Sequence, residues 1–101
     1  MATLFVEYRL KPEHQEEHLQ AVRALMRANA NLQVLESADE PGLYVELWQS
    51  PDSTRLNHGS PRLNHSSTGL ARARTEQLAP VAEGGAARVR CWTFNNIDQN
   101  G

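Results

Sequence analysis

The chain has 101 residues, with 40% hydrophobic, 22% charged, six Gly and five Pro, an ordinary make-up for one soluble globular domain that excludes collagen-like and disordered classes. Ten basic and twelve acidic residues leave a formal net charge of −2, so neither nucleic acid nor an anionic membrane is expected as a partner. The single cysteine excludes an internal disulfide and a Cys-based zinc site, and points to a reducing, cytoplasmic location.

The N-terminal residues meet a charge at Glu7, too early for a signal-peptide core, and no run approaches the ~18 apolar residues of a membrane span. Residues 3–10 alternate Leu4, Val6, Tyr8 and Leu10 against Phe5, Glu7 and Arg9, which predicts a strand ended by Lys11 and Pro12. From Glu13 to about Asn29 the apolar positions Leu19, Val22, Leu25 and Met26 recur at helical spacing. Acids in the first turn and Arg23 and Arg27 late in the segment match the helix dipole. Leu32, Val34 and Leu35 mark a second strand, and Asp39-Glu40-Pro41-Gly42 is turn chemistry leading into a third strand over 43–48. Two Ser-Pro pairs, at 50–51 and 60–61 with Gly59 between them, predict a second helical region in two pieces, about 52–58 and 61–79. Residues 87–94 alternate again as the last strand. Residues 1–95 thus form a single domain, and 96–101 a polar tail.

The order strand, helix, strand, strand, helix, strand predicts an α+β, ferredoxin-like βαββαβ fold, a four-stranded antiparallel sheet with both helices on one face. Alternation assigns Leu4, Val6, Leu10, Leu43, Val45, Leu47, Val89 and Cys91 to the helix-covered face. The other face then receives Phe5, Tyr44, Trp48, Trp92 and Phe94, with Glu7, Arg9, Glu46, Arg88 and Arg90. Five aromatics there would present on the order of 700 Å², more than a monomer's usual largest apolar patch. A homodimer through this sheet face is therefore expected, with Glu7 or Glu46 meeting Arg9 or Arg90 of the second copy. A ligand-binding face is the competing reading.

His14-Gln15-Glu16-Glu17-His18 matches the H-x-x-E-H spacing that puts two imidazoles on one helical face, but a zinc site also needs a third ligand. A charged, solvated first turn is the expectation, with no metal. Arg55-Leu56-Asn57-His58 returns as Arg62-Leu63-Asn64-His65, an echo too short for a coiled coil or solenoid. His58 and His65 are candidate acid/base or ligating groups, with hydrogen-bonded structural histidines as the plainer reading. No glycine-rich phosphate cradle and no G-x-S-x-G elbow is present, and Cys91 reads as a structural thiol.

The segment Tyr44-Val-Glu46-Leu-Trp48-Gln-Ser50, followed by His58-Gly-Ser60-Pro61-Arg-Leu, resembles the antibiotic biosynthesis monooxygenase family of dimeric α+β barrels. There a strand bearing an aromatic, a Glu and a Trp leads into a helix carrying His-x-x-Ser/Thr-Pro-His-Phe. Glu46, Trp48 and His58 match that pattern, while the family's second His falls on Arg62 and the following aromatic on Leu63. The resemblance implies reaction of a phenol, quinol or polyketide-like molecule with dioxygen in a dry pocket, without metal, flavin or other cofactor. In that reading His58 takes a phenolic proton, Arg62 holds the anion and Tyr8 lines the pocket, the three candidate catalytic residues. Trp48, Glu46 and His65 are the candidate substrate-binding residues, with Trp48 at the dimer seam or pocket mouth. Two alternatives stand beside it: a non-enzymatic dimeric barrel that binds a small molecule or regulates a partner, and a haem-binding protein with His65 as the iron ligand.

Overall fold

The computed structural model describes residues 2–50, 69–95 and 97. Strand β1 (Ala2–Arg9) leads through a 3-10 turn (Pro12–His14) into helix α1 (Gln15–Ala28); strands β2 (Leu32–Glu36) and β3 (Leu43–Ser50) follow. Helix α2 (Gly69–Leu78), a second 3-10 turn (Gly85–Arg88) and strand β4 (Arg90–Asn95) complete the described chain. The four strands form one sheet in the order β2-β3-β1-β4, with every neighbouring pair antiparallel. This is the α+β, ferredoxin-like arrangement expected from the sequence. The last strand begins later than its alternation implied, because Gly84 and Gly85, at φ +82° and +69°, lead into a 3-10 turn that takes Arg88 out of the sheet.

Local chemistry explains the connections. The β2–β3 turn is closed by the Ser37 hydroxyl, which accepts from the Asp39 and Glu40 amides at 3.2 and 3.0 Å, and by Gly42 at φ +92°. The Gly42 carbonyl then accepts from the Leu10 amide at 2.8 Å, so the hairpin tip is tied to the end of β1. After α2, residues 81–83 run beside 9–11: the Lys11 amide donates to the Val81 carbonyl and the Glu83 amide to the Arg9 carbonyl.

The core lies between the sheet and the helices, on Leu4, Val6, Tyr8, Leu10, Val22, Leu32, Tyr44, Trp48, Leu78 and Ala82. Here the structure corrects the sequence reading of β3. Leu4 pairs with Trp48, Val6 with Glu46 and Tyr8 with Tyr44, and residues opposite each other in an antiparallel ladder share a face. Tyr44, Glu46 and Trp48 therefore lie under the helices, and Leu43, Val45 and Leu47 lie on the open face. Of the six aromatics, only Phe5, Trp92 and Phe94 belong to the open side. Trp48 is consequently a core residue and not part of the open face, and Glu46 finds its partner inside its own chain.

Candidate functional site

Glu46 is wholly buried at the middle of β3, in a mostly apolar layer that includes Leu4, Val6, Tyr8, Tyr44 and Trp48. A carboxylate in such a place needs a full set of donors. Arg74 of α2 supplies two, Nε to Oε1 at 2.8 Å and Nη2 to Oε2 at 2.5 Å, the side-on geometry that suits a planar guanidinium. Trp48 Nε1 donates to Oε1 at 3.0 Å, and the Tyr8 hydroxyl to Oε2 at 2.7 Å. Four donors from β1, β3 and α2 thus converge on one carboxylate.

The Tyr8 hydroxyl also lies 2.7 Å from Nε2 of His18, on α1. The imidazole meets the Tyr8 ring edge-on, with centroids 5.3 Å apart, and sits 5.6 Å from the Tyr44 ring, which in turn stacks on Tyr8. Burial, above all, then the negative charge of Glu46, holds the Tyr8 phenol far above its ordinary range, so it stays protonated. Burial pulls the His18 pKa below its usual 6.5; Glu46 opposes that and Arg74 adds to it, leaving a neutral imidazole at pH 7.

A cavity of about 380 Å³ opens between α1 and α2, within the size range of small-molecule sites. Ala21, Val22, Leu25, Leu78 and Val81 make its apolar wall; Glu17, His18, Arg74 and Gln77 are its polar residues. Gln77 accepts from Arg74 Nη1 at 2.6 Å through its oxygen, which leaves the amide nitrogen as a donor. The cavity therefore brings together a neutral imidazole, a guanidinium anchored from behind by Glu46, and an oriented amide. That set can take a proton from a bound molecule and stabilise the anion that results.

The structure brings Tyr8, Glu46 and Trp48 into this one cluster. His58, Arg62 and His65 lie outside the described residues. His18 and Arg74 were not singled out from the sequence for this role, although a signal exists. His18 shares a helical stripe with Val22, Leu25 and Met26, Arg74 is flanked at four-residue spacing by Leu70 and Leu78, and Glu46 stands between Tyr44 and Trp48. His18 and Arg74 are polar residues at positions the helical periodicity reserves for the core, whereas Glu46 stands in the row of β3 that alternation assigns to the open face. The charged, solvated first turn expected here holds for Glu13, Glu16 and Glu17, which are exposed, and is corrected at His18, which is buried; the His14 imidazole lies 3.4 Å from Glu17. Among the described residues, no group of three or more His, Cys, Asp or Glu is placed to hold a metal ion, and no helix is long and apolar enough to cross a membrane.

The fold has counterparts of known structure. An antibiotic biosynthesis monooxygenase crystal structure superposes with a TM-score of 0.67 at 14% identity, over 97% of this chain and 100% of that one. The chain shares that fold. A proposed antibiotic biosynthesis monooxygenase from Deinococcus radiodurans superposes with a TM-score of 0.60 at 12% identity, over 97% of this chain and 94% of that one. No family model and no curated protein sequence matches the chain. At these identities the likeness to the antibiotic biosynthesis monooxygenases is one of architecture, and the chemistry has to be argued from the side chains.

Proposed function

We propose that the chain is a cofactor-independent monooxygenase of the antibiotic biosynthesis type, working as a cytoplasmic homodimer on an electron-rich phenolic, quinol or polyketide-like molecule held between α1 and α2. The observation that carries this reading is the pairing, in one partly apolar cavity, of the neutral His18 imidazole with the anchored Arg74 guanidinium. His18 takes the phenolic proton, and Arg74 and Gln77 hold the oxyanion by charge-assisted and amide hydrogen bonds. The ring anion, shielded from water, gives an electron to dioxygen, and the two radicals recombine at carbon. For a ring methylene the balance is CH2 plus O2 giving C=O plus H2O, with all four electrons drawn from the substrate. His58 as a base, Arg62 as a cation for the anion and His65 as a binding residue remain part of the proposal, on the sequence resemblance alone. Tyr8, held protonated, acts through His18 rather than on the substrate.

Aerobic incubation of the metal-free protein with a panel of hydroquinones and anthrones tests the reading by oxygen uptake. Uptake above background is expected, reduced by about 10²-fold or more in His18→Ala, the usual contribution of a general base. No uptake with any member of the panel, or equal uptake by His18→Ala, overturns it. Equal uptake by His58→Ala removes that residue from the chemistry.

One observation favours a second reading, a binding protein without turnover: Glu46 and Tyr8 spend all their hydrogen bonds on each other and on Arg74, Trp48 and His18. Saturable binding of the same phenols with no oxygen consumed would select it.

A further inference from the structure

The Tyr8 hydroxyl stands 2.7 Å from two groups that both accept hydrogen bonds in at least one of their states, Glu46 Oε2 and His18 Nε2. It has one proton to give. Glu46 receives two N–H donors from Arg74 and one from Trp48, so it sits as a carboxylate with no hydrogen of its own to offer. The Tyr8 proton therefore goes to Glu46, and the hydroxyl oxygen turns its lone pairs toward His18. A 2.7 Å contact there is repulsive unless Nε2 carries the hydrogen. We infer that Tyr8, oriented by Glu46, locks His18 as its Nε2–H tautomer and so leaves the Nδ1 lone pair as the proton acceptor offered to a ligand at the helix–helix cavity.

This deepens the proposed function and rests on it only where turnover is concerned. Tyr8 becomes a positioning residue: it decides which nitrogen of the base is free. The groups facing His18 are consistent with that role. Tyr8 comes from β1, Tyr44 and Glu46 from β3, Arg74 from α2, and Glu17 stands beside it on α1 and lines the same cavity. Apart from Tyr8, none of the described residues forms a hydrogen bond with the imidazole. A ligand hydroxyl is thus the natural partner for Nδ1. A phenol fits this tautomer, whereas the corresponding aryl methyl ether, which only accepts, does not.

Long-range nitrogen–proton correlation spectra of the ¹⁵N-labelled full chain, recorded at pH 7.5, read the tautomer directly. His18 is expected to be the pure Nε2–H form. Tyr8→Phe removes the acceptor from Nε2, and its His18 signals should move to the averaged positions of a tautomer mixture. Glu46→Gln places an amide N–H beside Tyr8, which frees the Tyr8 proton for Nε2 and should populate the Nδ1–H form. Wild-type His18 found as Nδ1–H, or Tyr8→Phe spectra with His18 unchanged, overturns the inference, and the wild-type measurement stands even if a variant does not fold. If the protein turns over a phenol, kcat of Tyr8→Phe should fall in proportion to the remaining Nε2–H fraction while KM holds. Failure of the oxygen-uptake assay leaves the spectra, and hence this inference, to be judged on their own.

Discussion

At the scale of single residues, the most consequential pair is Glu46 with Arg74, whose side chains are 0% and 8% exposed. Desolvating two charges is costly, and the geometry repays that only while both are present. Arg74→Met leaves the carboxylate buried without its cation and should cost about 3–5 kcal/mol in urea unfolding. The double substitution Arg74→Met with Glu46→Gln should lose distinctly less than the sum of the two single changes, as expected of groups in direct contact. His18 gives a pH signature. Its folded pKa lies below its unfolded one, so the unfolded chain binds the extra proton first and stability rises with pH through that window. Its contribution is complete above an unfolded value near 6.5 and is lost as pH falls below it. Thermal melts should show Tm declining from pH 7.5 toward pH 5, with a shallower decline in His18→Gln.

At the scale of elements, the hairpin between β2 and β3 depends on a backbone that few residues tolerate. Gly42 has φ +92°, its amide donates to Glu36 Oε2 at 3.1 Å and its carbonyl binds Leu10. A Cβ there would meet its neighbours at ordinary contact distance, so the strain of Gly42→Ala is conformational and should lower stability by about 1–2 kcal/mol in a denaturant melt. The elements themselves were legible in the chain. β1 alternates cleanly, α1 carries a helical stripe behind Pro12, and the turn at Asp39–Gly42 announces the hairpin. The orientation of β3 was not legible, for a physical reason. Leu43, Val45 and Leu47 form one apolar row and Tyr44, Glu46 and Trp48 another, and hydrophobicity favours the row without the charge. What reverses the preference is Arg74, 28 positions away, which local periodicity cannot see. The same blindness hid the site, since His18 and Arg74 gain their meaning only when α1 and α2 lie side by side over Tyr8 and Glu46.

At the scale of the whole molecule, the open face of the sheet remains apolar after the reassignment of β3. Phe5, Leu43, Val45 and Leu47 lie there with Leu35, Trp92 and Phe94, the last three 45%, 44% and 54% exposed. A groove of about 480 Å³ runs between Phe5, Leu35, Val45, Leu47 and Trp92. Arg90 stands opposite Glu7 at one end of this surface, charges available to pair across a two-fold axis. On the proposal that two copies join through this face, Leu47→Glu puts a charge in the contact without touching the helix-covered core. It should give a monomer by sedimentation velocity at micromolar concentration. A sedimentation coefficient unchanged from a dimeric wild type would place the contact elsewhere.

The two competing rows of β3 also bear on how the chain reaches its native state. A collapsed intermediate with β3 shifted by one residue would bury three aliphatic side chains in exchange for Tyr44 and Trp48, so collapse alone is a poor judge between the two pairings. The error becomes costly only when α2 docks and the Arg74 guanidinium finds Leu or Val where Glu46 should be. The ion pair therefore adds a penalty for the shifted register that hydrophobic burial alone does not supply. Without it, the apolar variant Arg74→Met paired with Glu46→Leu would keep much of its stability yet refold with a slow second phase, as misregistered molecules unpair and try again.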